Sequence, residues 1–239
     1  MNRHLATFQD SNPEFIAKLK SELYVDNLIS GANSLEEAKA LCENSYDIFL
    51  AGNFKLRKWK SNFDQLNEFM RCKFDQKMSN ESVTKVLGTT WDISRDEFIF
   101  DLTFLNSCQK SSYSKRDLLS IVGQIYDPLG FLSPLMLLPK LLFQQICKAK
   151  GYWDSKLDSD TDQKWKSWLK EARTVNWKVP RNVLQLTAEP ANVSFHGFCD
   201  ASSLAYAAAV YMKITYPSGL TQCFLLIAKS RIAPAAKPQ

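Results

Sequence analysis

The chain has little of what most catalytic signatures need. Only two histidines occur in 239 residues, His4 and His196, and no CxxC pair is present. A zinc site of the usual spacing is therefore not expected. The six cysteines, Cys42, Cys72, Cys108, Cys147, Cys199 and Cys223, are scattered singly, which suits reduced thiols better than a disulfide framework. There is no GxSxG, HExxH or P-loop pattern, no internal repeat and no low-complexity tract. Residues 1–20 are polar and charged, so no secretory signal is read there. The most apolar stretch, Phe131 to Phe143, is broken by Pro134, Pro139 and Lys140 and falls short of the ~18 residues a membrane span needs. It reads as a buried helix with a proline-marked entry, with no membrane partner. Single-signed charge is also scarce. A formal +5 permits contact with nucleic acid without demanding it.

What is present has the apolar share of a globular chain, 45%, enough for one large or two modest domains. Asn12-Pro13 opens a helix carrying Phe15, Ile16, Leu19 and Leu23. Leu23 to Ile29 then places two short apolar flanks around Asp26-Asn27, a hairpin with that polar pair at its tip. Ser34 and Glu37 form a capping box for a helix to about Leu50, stopped by Gly52. Phe54 to Lys60 alternates apolar and basic residues as a half-exposed strand would. Val83–Trp91 and Phe98–Phe104 predict a second hairpin, turned by Ser94-Arg95-Asp96.

From 114 the pattern becomes helical. Ser114 and Asp117 cap a helix ending at Asp127-Pro128-Leu129-Gly130, a second helix follows Pro134, and a third starts near Thr161. In the third, Trp165 and Trp168 read as a core-facing edge with solvated lysines around it. After Pro180 strands return at Val193–Cys199, Tyr206–Met212 and Cys223–Ala228, with a turn at Pro217-Ser218-Gly219. The fold class is α+β. A sheet with no helix after it reads as the opening of an unfinished domain.

Two carboxylates stand where chemistry could use them. Asp26 sits at a hairpin tip, where an acidic residue is ordinarily turn chemistry. Equally, a carboxylate on a rigid turn can hold Mg²⁺, a hard cation that prefers oxygen ligands. Asp200 closes the strand Val193–Cys199 and is followed by Ala201, Ser202 and Ser203, small residues that let a phosphate backbone approach. Two-metal phosphoryl chemistry needs several such carboxylates converging on ions ~3.5–4 Å apart.

Tyr24-Val25-Asp26-Asn27 resembles the YVDD box of reverse transcriptases. The wider text from Tyr24 through Ser30-Gly31-Ala32 and Glu36-Glu37-Ala38 to Phe54-Lys55-Leu56-Arg57-Lys58-Trp59-Lys60 is similar to the pol polyprotein of Pao-type (BEL/Pao) LTR retrotransposons. Lys115-Arg116-Asp117-Leu118-Leu119-Ser120 and Tyr126-Asp127-Pro128-Leu129-Gly130-Phe131 resemble the region that follows the polymerase there, known as the Pao retrotransposon peptidase family. Phe198-Cys199-Asp200-Ala201-Ser202 resembles the first strand of an RNase H domain.

The resemblance implies three parts: the end of a polymerase palm over 1–105, a helical thumb and connection over 106–180, and the start of an RNase H-like domain over 181–239. It also implies catalytic, metal-binding roles for Asp26 and Asp200, with Mg²⁺ as cofactor in the complete parent. Lys55, Arg57, Lys58 and Lys60, with Trp91 of the Leu87–Trp91 primer-gripping stretch, would contact nucleic acid. The implied partners are an RNA/DNA template–primer and the remainder of the polyprotein, in an intracellular setting, cytoplasmic or nuclear.

Three departures temper this. The second box aspartate is Asn27. An upstream palm aspartate is not in this sequence, and the further RNase H carboxylates would follow Gln239. Each site is then one ligand strong, so the expectation is an inactive fragment, or alternatively a catalytically dead nucleic-acid-binding remnant or scaffold. The peptidase label meets its own obstacle. A retroviral-type aspartic protease needs Asp-Ser/Thr-Gly, and Asp10-Ser11, Asp154-Ser155, Asp158-Ser159 and Asp160-Thr161 all lack the glycine.

Overall fold

A computed structural model describes residues 1–74, 82–149, 151–182 and 189–234. The chain divides into two compact units, one of Met1–Leu87 with Trp91–Asp96, the other of Gly88–Thr90 with Glu97–Gln239. Both mix helix and sheet, as the α+β reading expected.

The first unit begins with α1 (Asn2–Ala6) and α2 (Pro13–Glu22). Asn12 Oδ1 accepts the Phe15 N–H, the expected cap. The hairpin of β1 (Leu23–Tyr24) and β2 (Asn27–Leu28) pairs Leu23 with Leu28 and Tyr24 with Asn27. The tip is therefore Val25-Asp26, one residue earlier than the polar pair suggested. Asn27 is drawn into the ladder because Leu23 and Leu28 both pack inward, beside Leu5, Ile16, Leu19 and Phe49.

Helix α3 (Leu35–Ala51) starts where Ser34 Oγ accepts the Glu37 N–H. The Glu37 carboxylate takes the Asn33 N–H, so the return half of the capping box has slipped one residue. Helix α4 (Asp64–Lys73) packs Met70 against Cys42, and Phe74 lies with Tyr46 and Trp59 in the same cluster. Burial pushes the Cys42 thiol up to about 11, with the Glu43 charge adding to the effect, so this cysteine is an inert packing group.

Phe54–Lys60 is not a strand. Asn53 and Lys58 both take positive φ, 60° and 58°. That breaks an extended run, and alternation alone does not make a strand without a neighbour to pair with. Val83–Trp91 is likewise not one strand. It is β3 (Val83–Val86) and β4 (Thr89–Asp92), interrupted at Leu87-Gly88, whose φ values of 48° and 88° both favour a tight turn.

In the second unit β5 (Glu97–Asp101) gives way to a 3-10 helix, Thr103–Cys108, so the alternation through Phe104 outlasts the strand. Helix α5 (Lys115–Val122) has the full capping box, Ser114 Oγ accepting from Asp117 N and Asp117 Oδ2 from Ser114 N. It ends at Gly123, short of the Asp127-Pro128 stop read from sequence. Asp127 works instead on the next element. Its two carboxylate oxygens accept the Phe131 and Leu132 N–H groups at 2.9 and 2.7 Å, just ahead of α6 (Ser133–Lys148).

Inside α6, Pro139 cannot donate to Leu135 O. That carbonyl is taken by the indole N–H of Trp168 at 2.8 Å, from α7 (Ser159–Ala172). Trp165 and Trp168 are buried and stacked 4.8 Å apart, as the core-facing reading expected. They join Leu118, Ile121, Met136, Leu142 and Ile146 in one core.

Next comes β6 (Asn176–Pro180), which pairs antiparallel with β5, Phe100 opposite Trp177 and Phe98 opposite Val179. This strand was not foreseen. Finally β7 (Asn192–Ala201), β8 (Ala205–Thr215) and β9 (Thr221–Ile232) form an antiparallel sheet in sequence order. The β8–β9 turn has Gly219 at φ +84°, where the sequence placed it. The sheet is joined to the helices through its β9 edge. Ala228 N–H donates to Leu129 O, Ser230 Oγ to Ser133 O and Gln144 Nε2 to Ala233 O. A Cβ on Gly130, at φ +79°, would lie 1.8 Å from Ala228 O, so only glycine fits there.

Candidate functional site

Asp26 lies exposed on the two-residue turn of the first hairpin. Val25, beside it, is 78% exposed and adopts φ +56°. That region is costly for a β-branched residue, and such outliers gather at functional sites. Nothing in the sequence pattern signals this strain, because valine is the last residue a turn of this kind would select. Asn27 Nδ2 donates to Asp26 Oδ1 at 3.1 Å. Asn27 thus covers one oxygen of the neighbouring carboxylate and brings no charge of its own.

The basic residues Lys55, Arg57 and Lys58 are exposed and Lys60 is half-buried. Between them Trp59 turns inward to stack on Phe74 at 4.9 Å. The positive φ of Lys58 breaks the extended run here, and Lys55, Arg57 and Lys58 stay exposed ahead of that anchor.

Trp91 is buried, and its indole N–H donates to Asp96 Oδ1 at 2.9 Å. Asp96 Oδ2 takes the Asn62 amide. Asp92, in the same turn, accepts from Ser94 Oγ and from the N–H groups of Ser94 and Arg95. The Ser94 hydroxyl, ahead of those backbone donors, holds its carboxyl below the ordinary aspartate range. The Trp91 ring is thus built into the turn rather than laid open as a stacking platform.

Asp200 is the penultimate residue of β7, exposed, with Ala207 directly opposite on β8. Alternation puts His196 and Phe198 on its face. Ser194 Oγ meets His196 Nε2 at 3.0 Å and Phe198 stands edge-on to Tyr211 on that side. One Asp200 oxygen accepts the Ala201 N–H at 2.8 Å. The loop that follows is braced by Ser202, whose hydroxyl accepts from Leu204 and Ala205 N–H.

The sequence therefore placed a carboxylate at an open strand end correctly. Its neighbours do not complete a metal site. Among the described residues no three His, Cys, Asp or Glu side chains converge to hold an ion. The donor set around Asp200 does not by itself fit a two-metal centre, and the same holds at Asp26. Among the described residues, no helix is long and apolar enough to cross a membrane.

Comparison with known proteins gives one match. Residues 114–239, just over half of the chain, match the family model of the Pao retrotransposon-like RNaseH-like domain. No curated protein and no solved structure matches. The match begins at the Ser114 cap and takes in α5 to α7 as well as the sheet that carries Asp200, all of it inside the second unit. The chain belongs to the Pao retrotransposon-like RNaseH-like domain family.

Proposed function

We propose that the chain is part of a retrotransposon pol polyprotein, an RNA-directed DNA polymerase with RNase H, and that its own residues supply one carboxylate to each active site. Asp200 would be a metal ligand of the RNase H site and Asp26 of the polymerase palm. The observation that carries this reading is the placement of Asp200, an exposed carboxylate at a strand end within the matched region, opposite a residue too small to obstruct an approaching strand. The polymerase half rests on the sequence resemblance and on the strained turn at Val25. On this reading residues 1–105 belong to the palm, 106–180 to thumb and connection, and 181–239 to the RNase H-like part. Lys55, Arg57, Lys58 and Lys60 would meet the template–primer backbone, and Trp91 would hold the turn beside it.

Mg²⁺ in the parent would stabilise charge on the transferring phosphoryl group. This chain's part is to fix Asp200 in direction, through the Ala201 N–H and the Ser202-braced loop, and Asp26 through Asn27. Because each site has a single carboxylate, the chain alone should neither extend a primer nor cut an RNA–DNA hybrid. Mg²⁺-dependent cleavage of a labelled hybrid by the purified chain, abolished by Asp200→Asn, would overturn the one-ligand reading.

A second reading, a catalytically dead nucleic-acid-binding remnant or scaffold, is favoured by Asn27 alone. In a parent carrying the rest of the palm, Asn27→Asp should raise primer extension. Unchanged extension would remove Asn27 as an argument for a dead site.

A further inference from the structure

One cavity has neither aspartate in its lining. It is open, about 450 Å³, and lined by Lys140 of α6 with Tyr206, Lys229, Ser230, Arg231 and Ile232 of the sheet. Tyr206 is directly opposite Arg231, and Lys229 follows two residues before it on the same side of β9. Successive residues of a strand face opposite ways. The row of Asp200, Ala207 and Ser230 therefore faces one way, and Tyr206, Lys229 and Arg231 face the other.

Three features mark this cavity as a place for an anion. First, its three cations have no carboxylate among the lining residues. Among the described residues none of the three side chains makes a hydrogen bond or ion pair, and those of Lys229 and Arg231 are exposed. Second, Lys140 is half-buried in a helix whose other residues from Ser133 to Cys147 are uncharged. A partly desolvated ammonium without a counter-ion is unfavourable until an anion arrives. Third, Tyr206 keeps 46% of its surface open beside the cations, an aromatic ring with a hydroxyl at its tip. Ser230 is not part of the charge set, since its hydroxyl is bonded to Ser133 O.

The geometry points to a phosphate-binding site formed by Lys140, Lys229 and Arg231 with Tyr206 at the β9 edge of the sheet, which takes the phosphodiester backbone of a nucleic-acid strand. Asp200 is not among the residues that line the cavity. The site would retain a second strand or a flanking segment, so its loss should weaken binding without touching the carboxylate. The open, polar mouth and the exposed ring suit a single strand with accessible bases better than an apolar surface. The assignment deepens the nucleic-acid reading above, yet it is carried by residues outside the Lys55–Lys60 strip, and the two can be separated.

The test uses the full chain and a short fluorescein-labelled single-stranded DNA, with anisotropy read across a KCl series. Removing the three charges with Lys140→Gln, Lys229→Gln and Arg231→Gln together should weaken binding about tenfold or more and flatten the log–log salt slope by about 2. Lys55→Gln with Arg57→Gln should remove a separate share. Arg231→Lys should keep the slope, and unchanged melting of the triple variant shows that its fold is intact. If only the strip variant loses binding, the cavity assignment falls and the general reading stands. If the wild-type chain binds no strand at low salt, both fall. If the triple variant loses binding to inorganic phosphate or to phosphatidylserine vesicles but binds DNA as the wild type does, the strand falls as occupant.

Discussion

Residues in this chain are often decided by a single atom of a neighbour. Gly130 is the clearest case. Its φ is +79° and any Cβ would lie 1.8 Å from Ala228 O, beside the hydrogen bond from Ala228 N–H to Leu129 O that ties the helices to β9. Gly130→Ala should therefore cost about 3 kcal/mol or more, read as a fall in denaturation midpoint, whereas Gly219→Ala, with open space around it, should cost only the penalty of its positive φ. Equal losses at the two glycines would show that the contact with β9 does not matter. Val25 is the opposite situation, a bulky residue kept at positive φ with nothing in its packing to require it. Its strain is carried by the hairpin, whose Leu23 and Leu28 pack on the core.

Helices here are set by local chemistry and then corrected by their neighbours. Pro139 leaves Leu135 O without its helical donor, and Trp168 supplies one. Trp168→Phe should cost about 1–3 kcal/mol through the orphaned carbonyl and lost packing. The cost should shrink in a Pro139→Ala background, where the residue 139 N–H can return to Leu135 O. A thermodynamic cycle with a coupling of about 1 kcal/mol is expected, and strict additivity would sink the account.

The caps make a second expectation. At Asp117 burial opposes ionisation, but hydrogen bonds from Lys110 and Ser114 outweigh it and leave the carboxyl below the usual range. At Asp158 the Thr161 N–H and then its hydroxyl do the same. Both groups are lowered on folding. Their contribution is complete above the ordinary aspartate range and disappears as pH falls through the lowered values, between about pH 5 and pH 2. Asp158→Asn, which can still cap, should flatten its part of that acid loss in far-ultraviolet circular dichroism melts. An unchanged acid profile would count against the assignment.

At the scale of the whole chain, β7 is the feature with most consequence. It is an edge strand of ten residues with Phe195 66% and Phe198 60% exposed, on opposite faces by alternation. Among the described residues no strand pairs with its outer edge, which can then pair with another copy. Concentration-dependent association is expected at roughly micromolar levels and above, relieved by Phe195→Lys or Phe198→Lys. A monodisperse, cooperatively melting preparation would refute it.

The sequence by itself determined whatever depends on neighbours three or four residues away. The caps at Asn12, Ser34 and Ser114, the mixed fold class and the strand leading to Asp200 were all legible, because a cap or an amphipathic stripe is completed within its own segment. Tertiary structure decided what needs a distant partner. The alternation of Phe54–Lys60 promised a strand that found no mate, while Asn176–Pro180, with a proline and little pattern, became β6 because β5 was there to pair with it. Trp91 read as a contact residue, and it is buried with its indole N–H on Asp96, a pairing set by the geometry of the turn rather than by the sequence pattern. The cavity of Lys140, Lys229 and Arg231 could not be read at all, since it gathers charges some ninety residues apart in sequence. Local interactions are written in order along the chain, and long-range ones exist only once the chain has closed its loops.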